Sequence, residues 1–447
     1  MKEVMNRLPV LPDEPCGTDC FADDRDALND FAKYYNNSHL SDVTLIIGEE
    51  TFASHRLILA KSSEVFDRML SQRWNGETKE LMLVEDPACL RVFPAFLRFL
   101  YCNHIVLHPE NCLPLLVLAD KYNVASLKKV CLNLAVTEII PHIDLKEIFA
   151  VWFSYATKAY HQILIRACVE MIGREFESLI SSEEWEKTWL SLDRDQLLEL
   201  LKFNNLVVKN EKRIWDAVQQ WLSEPSHPER RGPTAAPLLS QIVPLIRFAL
   251  MTADEVAGVE ATTTAESFPK LFQAVISNAY KIQAISLAAR AASKEYVSSQ
   301  FLLRNYGDLR WDKRILLRRE QLEKGVDHEF KFQTRSYTLP PCAWQWSLKL
   351  GSSGCYSTAG EDSLKVILVA EAVDQPRYVE YMFCFVDEKK ILKCIAGKNQ
   401  FTKSRYSTEL EMPERISVSE LLSGVSPLLT NGELHMQLIL KPPSGYD

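Results

Sequence analysis

The spacing of apolar positions changes period several times between residues 42 and 135. Residues 42–47 (DVTLII) are rich in β-branched side chains and read as a strand, and 51–53 read as a second. Gly48 lies between them, so the pair predicts a hairpin closed by a tight turn. Ser54 then stands as a candidate N-cap for a helix beginning at His55, and Ser63 as the cap of a second helix carrying Val65, Phe66, Met69 and Leu70. A strand at 79–84 follows. Asp86-Pro87 opens a helix with Leu90, Phe93, Phe96, Leu97 and Leu100 on its apolar face. Residues 105–107 predict a short strand, and 113–122 and 125–135 two more helices. Upstream, 27–35 places Leu28, Phe31 and Tyr35 on one helical face.

From 137 to about 257 the period is helical throughout, broken only by a polar, proline-rich loop at 223–237. An Ala- and Ser-rich stretch with helical spacing, 262–296, leads into a connector. Short strands then replace helices, at 329–334, 345–350, 364–372, 378–386 and 434–440, separated by Gly, Pro, Asn and Asp. That tail predicts an antiparallel sandwich of about 120 residues. It shows no repeat near fifty residues, so a Kelch propeller is not expected.

Composition narrows the function more than the fold. A net charge of -8, with no block of five basic residues, argues against nucleic acid as a partner. The absence of any run of eighteen apolar residues argues against a membrane span. Eleven irregularly spaced cysteines, several inside apolar helical stripes, read as free thiols of a reduced intracellular protein. The N-terminal segment is too broken by charge and proline for a secretory leader. The expected compartment is the cytoplasm, with the nucleus left open.

Candidate chemistry is sparse. His55 beside Arg56, between a strand and a helix, invites a catalytic reading, but the hairpin offers no nucleophile or further ligand, and a structural role is expected. Cys102, His104, His108 and Cys112 could ligate zinc, yet their spacing fits no common zinc module and they straddle a turn, a strand and a helix start. Cys16 and Cys20 lack a partner pair. Asp193 and Asp195 flank a helix start, where carboxylates favour the dipole. There is no phosphate-cradling glycine loop, nucleophile elbow, zinc-binding helix or dinucleotide fingerprint. No cofactor, no metal and no enzymatic activity are therefore expected.

Certain stretches are more specific than their periodicity. SDVTLIIGEETFASHRLILAKSSEVFDRML, LRFLYCNHIVL and ENCLPLLVLADKYNVASLKKVC together resemble the BTB/POZ domain across residues 39–135. DQLLELLKFNNLVVKNEKRIWDAVQQWL, followed by VPLIRFALM, resembles the BACK domain that commonly follows it. WQWSLKLGSSGCYSTAGEDSLKVILVAEAV and LHMQLILK are similar to TRAF/MATH-type sandwiches. The expected fold is multidomain α+β: a leader at 1–25, BTB/POZ at 26–136, an all-α BACK domain at 137–258, a helical connector at 259–327 and a TRAF-like antiparallel sandwich at 328–447.

By resemblance, such a chain is a substrate adaptor of a cullin-3 RING ubiquitin ligase. BTB would form a homodimer and hold cullin-3, BACK would lengthen that contact, and the tail would hold a protein substrate that the sequence does not identify. The resemblance places Asp42 and Arg56 as a buried or half-buried charged pair near a dimer groove that Leu28 and Phe31 would share. It places Met69, Leu70, Trp74, Glu77 and Tyr122 on the cullin-binding surface, with core packing an equal alternative for Met69 and Leu70. Family members carry a hydrophobic-x-Glu motif after the second BTB helix, whereas here Trp74-Asn75-Gly76-Glu77 sets the glutamate one place late. The alternative is a BTB interaction scaffold without ligase function.

Overall fold

A computed structural model describes residues 30–71, 79–338, 342–352, 363–412 and 414–442. The chain divides into two compact units, Met1–Ile143 and Asp144–Asp447.

In the first unit the hairpin forms as its sequence demands. Strand β1 (Val43–Ile47) pairs antiparallel with β2 (Glu50–Ser54), Leu45 opposite Phe52. Gly48 makes the turn at φ +58°, a left-handed conformation that glycine adopts without strain. On its other edge β1 pairs in parallel with β3 (Glu80–Leu83). Alternation puts Val43, Leu45, Ile47, Leu81 and Leu83 inward. Helices α1 (Arg56–Ser62), α2 (Glu64–Leu70), α3 (Pro87–Cys102), α4 (Pro109–Lys121) and α5 (Ala125–Leu134) complete the unit. Ser63 caps α2, its hydroxyl accepting from the Phe66 N–H. Pro87 opens α3, and Asn103, at φ 52°, ends it.

Two local expectations give way. His55, not Ser54, occupies the N-cap position of α1; the Ser54 hydroxyl turns inward and donates to the Phe52 carbonyl at 3.3 Å. Residues 105–107 pair with no strand among the described residues. They run extended into α4, tied by the Asn111 side chain to the Val106 carbonyl at 3.0 Å.

The second unit joins helices to a sandwich. Among the helices are α6 (Gln162–Arg174), α7 (Arg194–Lys202), α8 (Glu211–Leu222), α9 (Pro269–Ala284) and α10 (Leu287–Ala292). Asp193 and Gln196 form a reciprocal capping box at the start of α7. Tryptophans fill the helical core: Trp215 meets Phe248 and Phe272 edge-on, and Arg230 stacks on Trp221 at 3.7 Å. Two short parallel strands, β4 (Val207–Val208) and β5 (Asn305–Tyr306), tie these helices to the segment that enters the sandwich.

The sandwich comprises β6 (Asp312–Leu317), β7 (His328–Arg335), β8 (Ala343–Ser352), β9 (Leu364–Glu371), β10 (Arg377–Val386), β11 (Ile391–Phe401), β12 (Ser407–Glu409), β13 (Leu429–Thr430) and β14 (Glu433–Lys441). One sheet runs β11-β10-β14-β13, with β6 also on β14; the other runs β12-β9-β8-β7. Trp346, Leu348, Val366 and Leu368 of one sheet meet Phe383, Phe385, Met436 and Leu438 of the other. The β10–β14 sheet is also covered on its far face, where Met382, Cys384 and Ile439 pack under Ile282, Leu287, Tyr296 and Phe301. Burial on both faces takes in even the polar positions of β14, so its seven central residues, His435 and Gln437 among them, are all buried.

Strand β6 corrects the helical connector expected at 259–327. Its DKRILL sequence reads as charged, but Ile315 and Leu317 face the sandwich core while Arg314 is held on the opposite side. Residues 144–442 thus form one unit where three segments were expected.

Candidate interaction surfaces

His55 is buried, and its backbone N–H donates to the Tyr101 hydroxyl at 3.1 Å. Its Nε2 lies 2.8 Å from the His39 carbonyl, an acceptor only, so Nε2 carries the proton. Nδ1 therefore accepts from the Tyr101 hydroxyl, 2.9 Å away. An imidazole with both nitrogens engaged and its ring edge-on to Tyr34 and Tyr101 joins the chain before β1 to the start of α1 and the end of α3. It has no lone pair left for catalysis. Cys102 and Cys112 are buried, their thiols donating to the carbonyls of Arg98 and Cys131, while His104 and His108 are exposed. Among the described residues no group of three or more His, Cys, Asp and Glu is arranged to hold a metal.

The residues expected to face cullin-3 separate into surface and core. Met69 is half-buried, whereas Leu70 is 8% exposed and Tyr122 only 1%. Tyr122 stacks on Phe66 with ring centroids 4.6 Å apart, and its hydroxyl donates to the Glu85 carboxylate. Burial, then Glu85, raises its pKa. Glu85 itself is almost wholly buried and meets Lys121 at 2.9 Å. Tyr122 and Leu70 are therefore core residues, because helix packing turns their side chains inward. Trp74 and Glu77 lie outside the described residues.

The residues expected to line a dimer groove are also arranged differently from expectation. Asp42 is exposed, not buried; its carboxylate accepts the backbone N–H of Arg56 at 2.8 Å, an anion at the start of α1. The Arg56 guanidinium donates to the Leu70 carbonyl at 3.1 Å. Phe31 is 43% exposed, with the Lys61 ammonium 5.4 Å from its ring centroid, and Leu28 lies outside the described residues. Phe31, Lys61, Glu64, Tyr101 and Asn103 border an open hollow of about 680 Å³.

In the second unit the sequence gives little warning of the densest polar network. Glu211, at the start of α8, is fully buried. Its carboxylate meets Arg304 at 3.2 Å, the Tyr306 hydroxyl at 2.7 Å and the Arg247 backbone N–H at 2.9 Å. Arg304 also donates to the carbonyls of Leu201 and Leu245, and Arg247 to Leu302 and the Asn204 side chain. Burial opposes the charge on Glu211, but the flanking Arg304 and Arg247 prevail and lower its pKa. Burial and Arg304 together bring Arg247 down to about 9. These groups come from the helices on one side and the segment entering the sandwich on the other. The only sequence signal is a lone arginine inside an apolar run, as in LIRFALM and FLLRNY.

Beside this network a cleft of about 450 Å³ opens between α6, α7 and the β10–β11 turn, bordered by Ile165, Arg166, Lys202, Arg314, Glu388 and His435. His435 Nδ1 accepts from Arg314 at 3.1 Å and Nε2 faces Glu433 at 3.5 Å. Burial, then Arg314, pulls its pKa to about 4, so it is neutral at pH 7. Both ring nitrogens are engaged, which suits a shaping role rather than proton transfer.

Family models place these units. The model for the BTB/POZ domain matches residues 31–138, and the model described as BTB And C-terminal Kelch, BACK, matches 149–259. The chain carries a BTB/POZ domain followed by a BACK domain. The BTB match falls in the first unit, and the BACK match in the helices of the second. Over 306 residues the chain is 24% identical to BTB/POZ domain-containing protein 17 of Xenopus laevis, covering 67% of this chain and 61% of that protein. It is 24% identical to human Kelch-like protein 25 over 234 residues, 52% of this chain and 37% of that one. The chain thus spans less than two thirds of the length of either relative. A solved structure titled BTB domain of zebrafish PATZ1 matches at 28% identity and a TM-score of 0.22, covering 25% of this chain and 88% of that one. Neither matched model, BTB/POZ or BACK, is a catalytic domain.

Proposed function

We propose that this chain is a substrate-recognition adaptor of a cullin-3 RING E3 ubiquitin ligase. In this reading the BTB domain forms a homodimer and holds cullin-3, the BACK helices lengthen that contact, and the C-terminal sandwich, TRAF/MATH-like in kind, holds a protein substrate. The succession of BTB and BACK, shared in part with a Kelch-like relative, supports it. The observation that carries the substrate-holding half is the Glu211 network, which fixes the sandwich to the BACK helices. A target bound on the sandwich is then held at a set position, and the contribution to ubiquitin transfer is proximity rather than chemistry. Met69 with Trp74 and Glu77 is the proposed cullin contact, over a floor made by Leu70 and Tyr122. Phe31, Leu28, Asp42 and Arg56 are the proposed dimer groove, and the cytoplasm the proposed compartment.

Calorimetry with the full chain and the cullin-3 N-terminal domain tests the reading. A fragment ending at residue 258 would strip Glu211 of Arg304 and Tyr306, so the whole chain is the right material. Submicromolar binding, weakened at least tenfold by Trp74→Ala, is expected. No measurable binding would reject the adaptor and leave a BTB scaffold without ligase function.

A further inference from the structure

Cys384 on β10 and Cys394 on β11 stand directly opposite each other in the hairpin register. Their sulfurs are 2.8 Å apart. Non-bonded heavy atoms rest at about 3.5–4.0 Å, so the side chains are pressed together. Opposed residues of an antiparallel pair have Cα atoms about 4.5–5.5 Å apart, inside the range of about 4.4–6.8 Å that a disulfide spans without backbone movement.

Their surroundings differ in a useful way. Cys384 is fully buried beneath Tyr296 and Ile439, whereas Cys394 is half-buried at the edge of the same apolar cluster. Burial, followed by the neighbouring thiol, pushes the Cys384 pKa well up. Other described cysteines lack this combination. Cys112 and Cys131 are both fully buried, and Cys342 is exposed against the Ser336 and Thr338 hydroxyls. The two sulfurs also sit just beneath the turn of this hairpin, and the turn makes contacts with the helices. Glu388 in that turn meets Arg166 at 2.8 Å and accepts from Asn204 at 2.7 Å.

We propose that Cys384 and Cys394 are a thiol–disulfide modification site that reacts with small-molecule disulfides such as oxidised glutathione. The Cys394 thiolate attacks one sulfur of the small disulfide, and one glutathione thiolate leaves. Cys384, giving up its proton, then attacks Cys394 in the mixed disulfide and expels the second glutathione. Two protein thiols are oxidised to one disulfide, and one small disulfide is reduced to two thiols. Closure ties the strands beneath the turn that docks on α6 and raises the resistance of the second unit to unfolding.

Reduced full-length chain, incubated with oxidised glutathione, alkylated and mapped without reductant by mass spectrometry, tests the site. A peptide pair linked through Cys384 and Cys394, lighter by two hydrogens and reopened by reductant, is expected. Cys384→Ala should trap glutathione on Cys394, and Cys394→Ala should leave Cys384 unmodified. Glutathione retained on Cys394 of the unaltered chain without a link would overturn the proposal. So would both thiols remaining unmodified while the exposed Cys342 reacts. The mapping of the unaltered chain decides the matter even where a variant fails to fold.

Discussion

The BTB unit and the BACK–sandwich unit bury polar groups in opposite ways. In the first, inward polar groups are few and locally matched: His55 with Tyr101, Ser63 with the Tyr122 carbonyl, and the buried Glu85 carboxylate with Tyr122 and the half-exposed Lys121. In the second, Glu211, Arg247 and Arg304 are taken out of water where helices meet strands, with Arg314 half-buried beside them. Desolvating such ions is expensive, and an apolar seam of the same shape could be as stable. What the charges add is specificity: each is satisfied in only one arrangement of helices against sandwich. Neither half of the second unit can keep that arrangement alone.

The largest expected effect comes from removing one charge of the seam. Glu211→Gln leaves Arg304 and Arg247 without their carboxylate and should destabilise the second unit by about 3–5 kcal/mol. Eight of the nine tryptophans lie after residue 143, so urea unfolding followed by tryptophan fluorescence reads that unit. An effect under about 1 kcal/mol would mean the charges are not coupled as described.

The next contrast is in pH. His435 has a folded pKa of about 4 against 6.5 unfolded, so the unfolded chain takes up the proton first. The stability tied to a neutral His435 is complete above pH 6.5 and is lost as pH falls toward 4, on the order of 2–3 kcal/mol. Glu211, held below its usual carboxylate value, adds a loss at still lower pH. His435→Gln should flatten the fluorescence midpoint between pH 7 and 5; an unchanged slope would assign the pH response elsewhere.

A smaller effect belongs to the BTB unit. Tyr122→Phe removes the hydroxyl that donates to the buried Glu85 and should cost about 1–3 kcal/mol. Hydrogen exchange should show faster opening of α3 and α4 with no change beyond residue 144, and spread into the second unit would contradict a local role. Smallest of all, Arg174→Ala breaks an exposed pair with Glu170 on α6 and should shift stability by no more than about 0.5 kcal/mol.

The same contrast governs how much can be read from the sequence. Alternation in 43–47 and 364–371 exposes one face to a core and shows plainly in the residues, as do the Gly48 turn, the Ser63 cap and the helix start at Asp193. Strand β6 is hidden because its charged Arg314 is half-buried and held by hydrogen bonds to carbonyls, which its residue type does not announce. Strand β11 is hidden by its interleaved lysines and glycine, and 105–107 read as a strand only because β-branched residues favour one wherever a partner exists. The resemblance expects Tyr122 and Leu70 on a surface, whereas both side chains are buried: a position in a motif does not say whether the side chain points out or in. Glu211 at a helix start looks solvent-exposed until Arg247 and Arg304, far away in sequence, are brought against it.

Native-state hydrogen exchange on the full chain carrying Glu211→Gln tests the central claim most directly. If the BACK helices and the sandwich are one folding unit, protection should fall together in α6–α9 and in β8, β10 and β14, while β1 and α3 keep theirs. Loss confined to α8, with β10 and β14 as protected as before, would contradict the single unit and the fixed placement of substrate that rests on it.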